Sequence, residues 1–318
     1  MMKRFSLLLS VAILIASPFF GQIALNLQDI LHPDSSSHML FWELRIPRVL
    51  IAFFSGAILS LAGLVFQSLF RNPLTTPFTL GVASGATLGT AIAIVFLSEM
   101  VFWQYALSFA GALLTVLILF LISRSLKSTQ THSLLLVGIA LSFFYSAALM
   151  VLFFLSDFQQ SYSIVRFTMG SLSIIGFDPL YPVSAASILL LGSIRYYRAE
   201  LKILLASLDF AFLKGIDVNR VTMMLLLITS LAVAVCVSVV GPIGFVGLIV
   251  PHIIKTIYRQ SSDKLILPTF FYGGVFLVLC DLISRNIGAS SDIPIGVITS
   301  FLGGPFFIYL IIRRNRGN

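Results

Sequence analysis

The stretch RIPRVLIAFFSGAILSLAGLVF, residues 45–66, sets two arginines and a proline at the head of a long apolar run. A helix rises about 1.5 Å per residue, so an apolar run of about 20 residues crosses a hydrocarbon core about 30 Å thick. The run spans 49–69, and reading outward from it similar runs lie near 5–25, 78–97, 101–122 and 133–155 on one side and near 179–194, 221–240, 243–258, 265–284 and 294–312 on the other. Hydrophobic residues make up 58% of the 318 and charged residues 10%, too little polar surface for a water-soluble globule. The sequence therefore predicts an all-α polytopic membrane protein of about ten spans, forming a single transmembrane unit over 1–318. The narrowest division falls at Gly241-Pro242, where two spans meet with hardly any loop. The first run, after MMKR, also has the basic start and apolar core of a secretory signal peptide, but no small-x-small cleavage site follows Ala16-Ser17-Pro18, so it counts as a span.

An even number of spans puts both termini on one side, and the basic residues decide which. With both termini in the cytoplasm, only Arg45, Arg48, Arg166 and Arg285 of the 20 lysines and arginines lie outside, while Asp29, Asp34, Glu43, Asp157, Asp178 and Asp292 share that side. RIPR thus faces outward, against the general bias. The net charge of +8 is accounted for by this inward concentration, at the lipid surface, and calls for no nucleic acid.

The longest inner connection, RYYRAELKILLASLDFAFLKGIDVNR at 195–220, is semi-apolar and too long for a turn, which suggests one or two short helices along the cytoplasmic face. Asn72-Pro73 and Thr76-Pro77 break helix continuity at the inner surface, because proline lacks the amide donor and disfavours helix before it. Gly81, Gly85 and Gly89 then recur every fourth residue, a spacing that lets a second helix approach closely. Cys236 and Cys280 both sit in apolar runs and suggest neither a disulfide nor a thiolate cluster. The scattered His32, His38, His132 and His252 have no metal-ligand spacing, so no metal or cofactor site is expected. No GxxxxGK[ST] loop is present, so ATP hydrolysis would belong to another subunit and the chain is not expected to be an enzyme. Ionisable residues deep in the spans are nearly lacking, which disfavours an ion-coupled secondary transporter. Asp281 and Arg285 are the exception, four apart near the outer end of their span and able to pair.

Four segments in order, RIPR, GAILSLAGLVFQSLFRNPLTTPFTLGVASGATLG, GPIGFVGLIVPHI and DIPIGVITSFLGGPFFIYLI, resemble the FecCD-type permeases, the membrane subunits of bacterial ABC importers for ferric siderophores, haem and cobalamin. The resemblance implies the type II importer permease fold in the bacterial inner membrane. It also implies a dimer with the pathway along its axis, cytoplasmic ATPases below and a periplasmic or lipid-anchored substrate-binding protein above. By position it assigns Leu208, Asp209, Phe212, Leu213 and Gly215 to ATPase coupling, although the family's usual Gly-Glu-Glu-Ala-like run is Leu208-Asp209-Phe210-Ala211 here. It assigns Arg45, Arg48 and Arg285 to docking of the binding protein, with charge reversal expected to slow docking without lowering the amount of permease. Gly81, Gly85 and Gly89 would pack beside the pathway. A ferric siderophore is the first expectation for cargo, haem and cobalamin being left open, as is whether the second permease copy is identical. Phe212→Asp is expected to release the ATPase or abolish uptake, because buried aromatic anchors dominate such interfaces; co-purification of the ATPase at the wild-type level with unchanged uptake would refute the coupling assignment.

Overall fold

The computed structural model describes residues 2–26, 28–97, 100–125, 131–206, 214, 217–258, 262–287 and 292–315. Every regular element among them is helical: α1 Met2–Ala16, α2 Ser36–Met39, α3 Ile46–Leu69, α4 Val82–Phe96, α5 Val101–Ser125, α6 Thr131–Leu155 and α7 Phe158–Thr168 in the first half. The second half has α8 Leu180–Tyr196, α9 Arg198–Ala206, α10 Val218–Val240, α11 Val246–Tyr258, α12 Ser262–Ile287 and α13 Ile295–Asn315. Five helices are long and apolar enough to cross a membrane, and five shorter apolar ones, Ser6–Phe19, Val82–Phe96, Leu180–Tyr196, Val246–Tyr258 and Ile295–Tyr309, complete the set expected from the sequence. Leu208, Asp209, Phe212, Leu213 and Gly215 lie outside the described residues; of the inner connection, α9 is the described helix, and its Leu201 is buried against the bundle.

The run that opens at RIPR becomes the axle of the bundle. In α3, 83% of the central span is buried, against 17% in α6. The α3 helix packs on α8, α10, α11 and α12, so nearly every side of it meets protein. Lipid tails are as apolar as leucine, so close van der Waals fit must hold helices together in a bilayer, and small residues permit it. Accordingly Gly63 of α3 stands against the Gly247 backbone of α11, and Gly56 against the Gly273 backbone of α12, with no room for a Cβ at either. Gln67, one turn further, donates from Nε2 to the Gly247 carbonyl at 2.9 Å and accepts from Lys255 Nζ at 3.1 Å, fastening the C-terminal end of α3 to α11.

The expected turn after α3 is present. Asn72 Oδ1 accepts from the Leu74 amide, and Thr76 and Thr79 cap a short 3-10 turn at Pro77–Leu80. The glycine ladder divides into two roles. Gly85 and Gly89 face α5, where added side chains would meet Thr115 and the carbonyls of Gly111 and Leu107. Gly81 instead lies just outside α4 with φ of 76°, a left-handed conformation that glycine adopts without steric cost, and abuts the Gly138 carbonyl of α6. At the other tight junction Gly241, also left-handed at φ 71°, reverses the chain between α10 and α11.

Gly85→Leu would drive a branched side chain into the α5 backbone, at a cost of about 3 kcal/mol or more. The purified variant is expected to melt earlier and uptake to fall; an unchanged melting midpoint with full uptake would refute the packing role.

Candidate functional site on the outer face

At the N-terminal end of α3 the sequence-expected arginines converge, but into the protein. Before α3 the chain winds through a π-helical stretch, Leu40–Arg45, whose wider turn shifts the side-chain register relative to the α-helix that follows. Arg45 turns toward the segment after α1. Its Nη1 donates to the carbonyls of Pro18 at 3.1 Å and Phe19 at 3.2 Å, and its Nη2 to that of Ile23. Only 6% of Arg45 remains exposed. Phe19 packs on Phe41 with the rings tilted and their centroids 5.2 Å apart, closing the same corner.

Arg48, one turn into α3, reaches two carboxylates. Its Nε and Nη2 donate to Asp281 Oδ1 at 2.9 and 2.8 Å, and its Nη1 to Asp292 Oδ2 at 2.5 Å. Asp281 on α12 is fully buried and also faces Arg285 one turn on, Nε to Oδ2 at 3.5 Å, an electrostatic contact without a hydrogen bond. The (i, i+4) pairing expected from the sequence is therefore present. Arg285 spends its Nη2 on Ser17, donating to the carbonyl at 2.9 Å and to Oγ at 2.7 Å. Ser284 Oγ donates to the Ile293 carbonyl, drawing the segment before α13 onto α12.

A single buried carboxylate thus serves two guanidinium groups, and the five charges tie α3, α12, the segment after α1 and the segment before α13 into one cluster. Three arginines against two aspartates leave a surplus positive charge at this end of the bundle. A cleft of about 340 Å3 opens over it, walled by Arg45, Arg48, Arg285, Asp292 and Ser173. Asp292 as a partner of Arg48 was not foreseen, since the two stand 244 residues apart. Nor was α7, although Asp157 and Gln160 cap one another reciprocally and spell a capping box in the sequence. Outer His38 does not face the cleft as a metal ligand; its Nδ1 bonds the Ile30 carbonyl at 2.7 Å.

The pattern of the FecCD transport family matches residues 8–313. The chain belongs to the FecCD transport family. Among curated FecCD-like relatives, a "Probable iron chelatin transport system permease protein" of Helicobacter pylori is 37% identical over 92% of this chain and 89% of its own length. The "Hemin transport system permease protein HmuU" of Yersinia pestis is 33% identical over 99% of this chain and 96% of its own. A solved metal-chelate type ABC transporter in an inward-facing conformation superposes with a TM-score of 0.87 at 28% identity, covering 96% of this chain and 97% of that one.

Burial changes what substitution at these arginines should do. A glutamate at 48 or 285 would place a second carboxylate beside buried Asp281 and leave it one guanidinium in place of two, so the expectation that reversal leaves the amount of permease untouched is replaced by loss of folded protein. Removing one partner from a buried ionic cluster costs about 3–5 kcal/mol, because the remaining charges stay buried and unpaired. Asp281→Asn is expected to lose that much, while Asp292→Asn, whose own side chain is 30% exposed, should lose roughly 1 kcal/mol or less. Thermal melts of the two purified variants would check the order, and equal midpoints would refute it.

Proposed function

We propose that this chain is the membrane-spanning permease subunit of an ATP-driven importer that carries a metal chelate, a ferric siderophore in the first instance, across the bacterial inner membrane. The observation that carries the reading is the end-to-end family match with an iron-chelate permease relative at 37% identity. The haemin permease relative, matched over 99% of this chain, favours haem as the second reading. In this proposal the chain acts as one unit over 1–318, with both termini in the cytoplasm, as the inward concentration of lysine and arginine indicates. ATP is hydrolysed on separate subunits that seat on the 195–220 connection, through Leu208, Asp209, Phe212, Leu213 and Gly215. A second permease copy, identical or paralogous, completes the pathway.

Arg45, Arg48 and Arg285 take the docking role in a form that respects their burial. They set a positive potential at the outer rim, which steers an acidic binding protein on approach and orients it. Such steering weakens as salt shortens the Debye length.

The test is reconstitution in liposomes with the cognate ATPase and binding protein, using a radio-iron-loaded trihydroxamate siderophore and haem as alternative cargoes. ATP-dependent accumulation of the siderophore, and not of haem, is expected. Accumulation driven by an ion gradient without the ATPase, or none with either cargo, would overturn the reading. In the same preparation the association rate of the binding protein is expected to fall steeply between low and physiological salt; a salt-independent rate would remove the steering role.

A further inference from the structure

Of the four arginines on the outer side, three are consumed by the fold. Arg166 is different. It stands exposed in the last turn of α7, and it has no hydrogen-bond or ion-pair partner among the described residues. Helix α7 is 11 residues long, too short to span, and it packs against α4. Ile164 is buried with Ala91 and Leu152, and Gln160 Nε2 donates to the Ile94 carbonyl at 3.4 Å. The face that carries Arg166 looks into a second cleft of about 340 Å3, on the other side of the Arg48–Asp292 pair.

The floor of this cleft is preorganised. The Ser171 amide donates to the Val240 carbonyl at 2.9 Å, and the Gly296 amide to the Met169 carbonyl at 3.0 Å. Gly170 lies against the Pro242 carbonyl and Gly241 against that of Phe167, contacts that leave no space for side chains. The end of α7, the Gly241 reversal and the start of α13 therefore form one backbone junction beneath the cleft. Its walls offer the hydroxyls of Tyr162, Ser171, Ser173 and Ser284 beside two guanidinium groups and one carboxylate. Arg48 is already shared between Asp281 and Asp292, so Arg166 is the uncompensated cation of the cleft.

We infer that this cleft is a binding subsite for an anionic, carboxylate-bearing face of the cargo, with Arg166 as its charged contact and the hydroxyls of Tyr162, Ser171 and Ser173 as hydrogen-bond donors, that of Ser284 being already donated to the Ile293 carbonyl. A guanidinium matches a carboxylate with two parallel donors, and the junction beneath removes the ordering cost that a mobile arginine would incur. The assignment deepens the chelate-importer reading and rests on it for the identity of the ligand class. A carboxylate of a docking protein carries the same chemistry, and the experiment separates the two.

The full-length permease with its ATPase is placed in nanodiscs, and equilibrium binding of ferric citrate, which carries free carboxylates, is compared with that of an uncharged ferric trihydroxamate. Ferric citrate is expected to bind the wild type more tightly than the neutral chelate. Arg166→Gln should weaken citrate binding by about tenfold, as loss of a charge-assisted contact implies. Arg166→Lys should recover part of it, and binding of the neutral chelate should not change. Because Arg166 is exposed and unpaired, melting midpoints are expected to be the same in all variants. The association rate of the binding protein with the Arg166→Gln nanodisc should match that of the wild type. The inference is overturned if ferric citrate does not bind the wild type, if Arg166→Gln binds it equally well, or if the variant loses only its association with the binding protein. Uptake is measured separately: citrate binding that depends on Arg166, with no ATP-driven transport of any chelate, would sink the importer reading and leave the anion subsite standing.

Discussion

Helices that pack in a bilayer gain little from hiding apolar surface, since the lipid they leave is as apolar as the neighbour they meet. The constraint on this chain is therefore how closely backbones can approach α3, and the rest of the bundle follows from it. Gly56 against Gly273 and Gly63 against Gly247 bring α12 and α11 to backbone contact at two levels, two turns apart, along one face of α3. With those distances set, Gln67 can reach the Gly247 carbonyl and Lys255 can reach Gln67. At the opposite end the same approach sets Arg48 beside Asp281, a buried charge that would otherwise keep only its 3.5 Å contact with Arg285. Steric fit and electrostatics are one arrangement here: the close contacts position the ion cluster, and the cluster closes the outer ends of the helices they bring together.

Much of the fold could be read from residues alone, because spans depend on local composition. The apolar runs, the proline-bounded turn at 72–77 and the narrow reversal at Gly241 are all short-range signals. The glycine ladder was legible as a packing face, but its partner was not, since nothing local to Gly85 points to Gly111 and Thr115 on α5. Gly81 looked like part of the ladder by spacing, and only the backbone reveals its left-handed turn role. The pairing of Asp281 with Arg285 followed from their separation by one helical turn.

The outer site was half legible. Charge bias places Arg45 and Arg48 on the outer side, yet topology says nothing of which way a side chain points around the helix. That direction is set by the π-turn of Leu40–Arg45 and by carboxylates more than 230 residues away, neither of which composition or periodicity reports. Arg166 was counted as an outer charge and given no role, because the cleft it faces is assembled from α3, α7, α12 and the start of α13.

The shared carboxylate of Asp281 also has a history during synthesis. Arg48 leaves the ribosome 233 residues before Asp281, its first buried partner, exists. At about 5–20 residues per second, that interval lasts roughly 10–50 s. Through it, Arg48 of the newborn α3 must stay at the water surface or among lipid headgroups, snorkelling along its own methylenes. It can be drawn inward only when α12 arrives with Asp281, so the final tightening of α3 waits on a helix made long after it. Arg45 has no such wait, since the carbonyls it holds precede it in the chain, whereas the hold of Arg285 on Ser17 forms only when α12 is in place. The Arg48–Asp281 pair is in this sense a completion seal, made when two distant parts of the polypeptide have found each other.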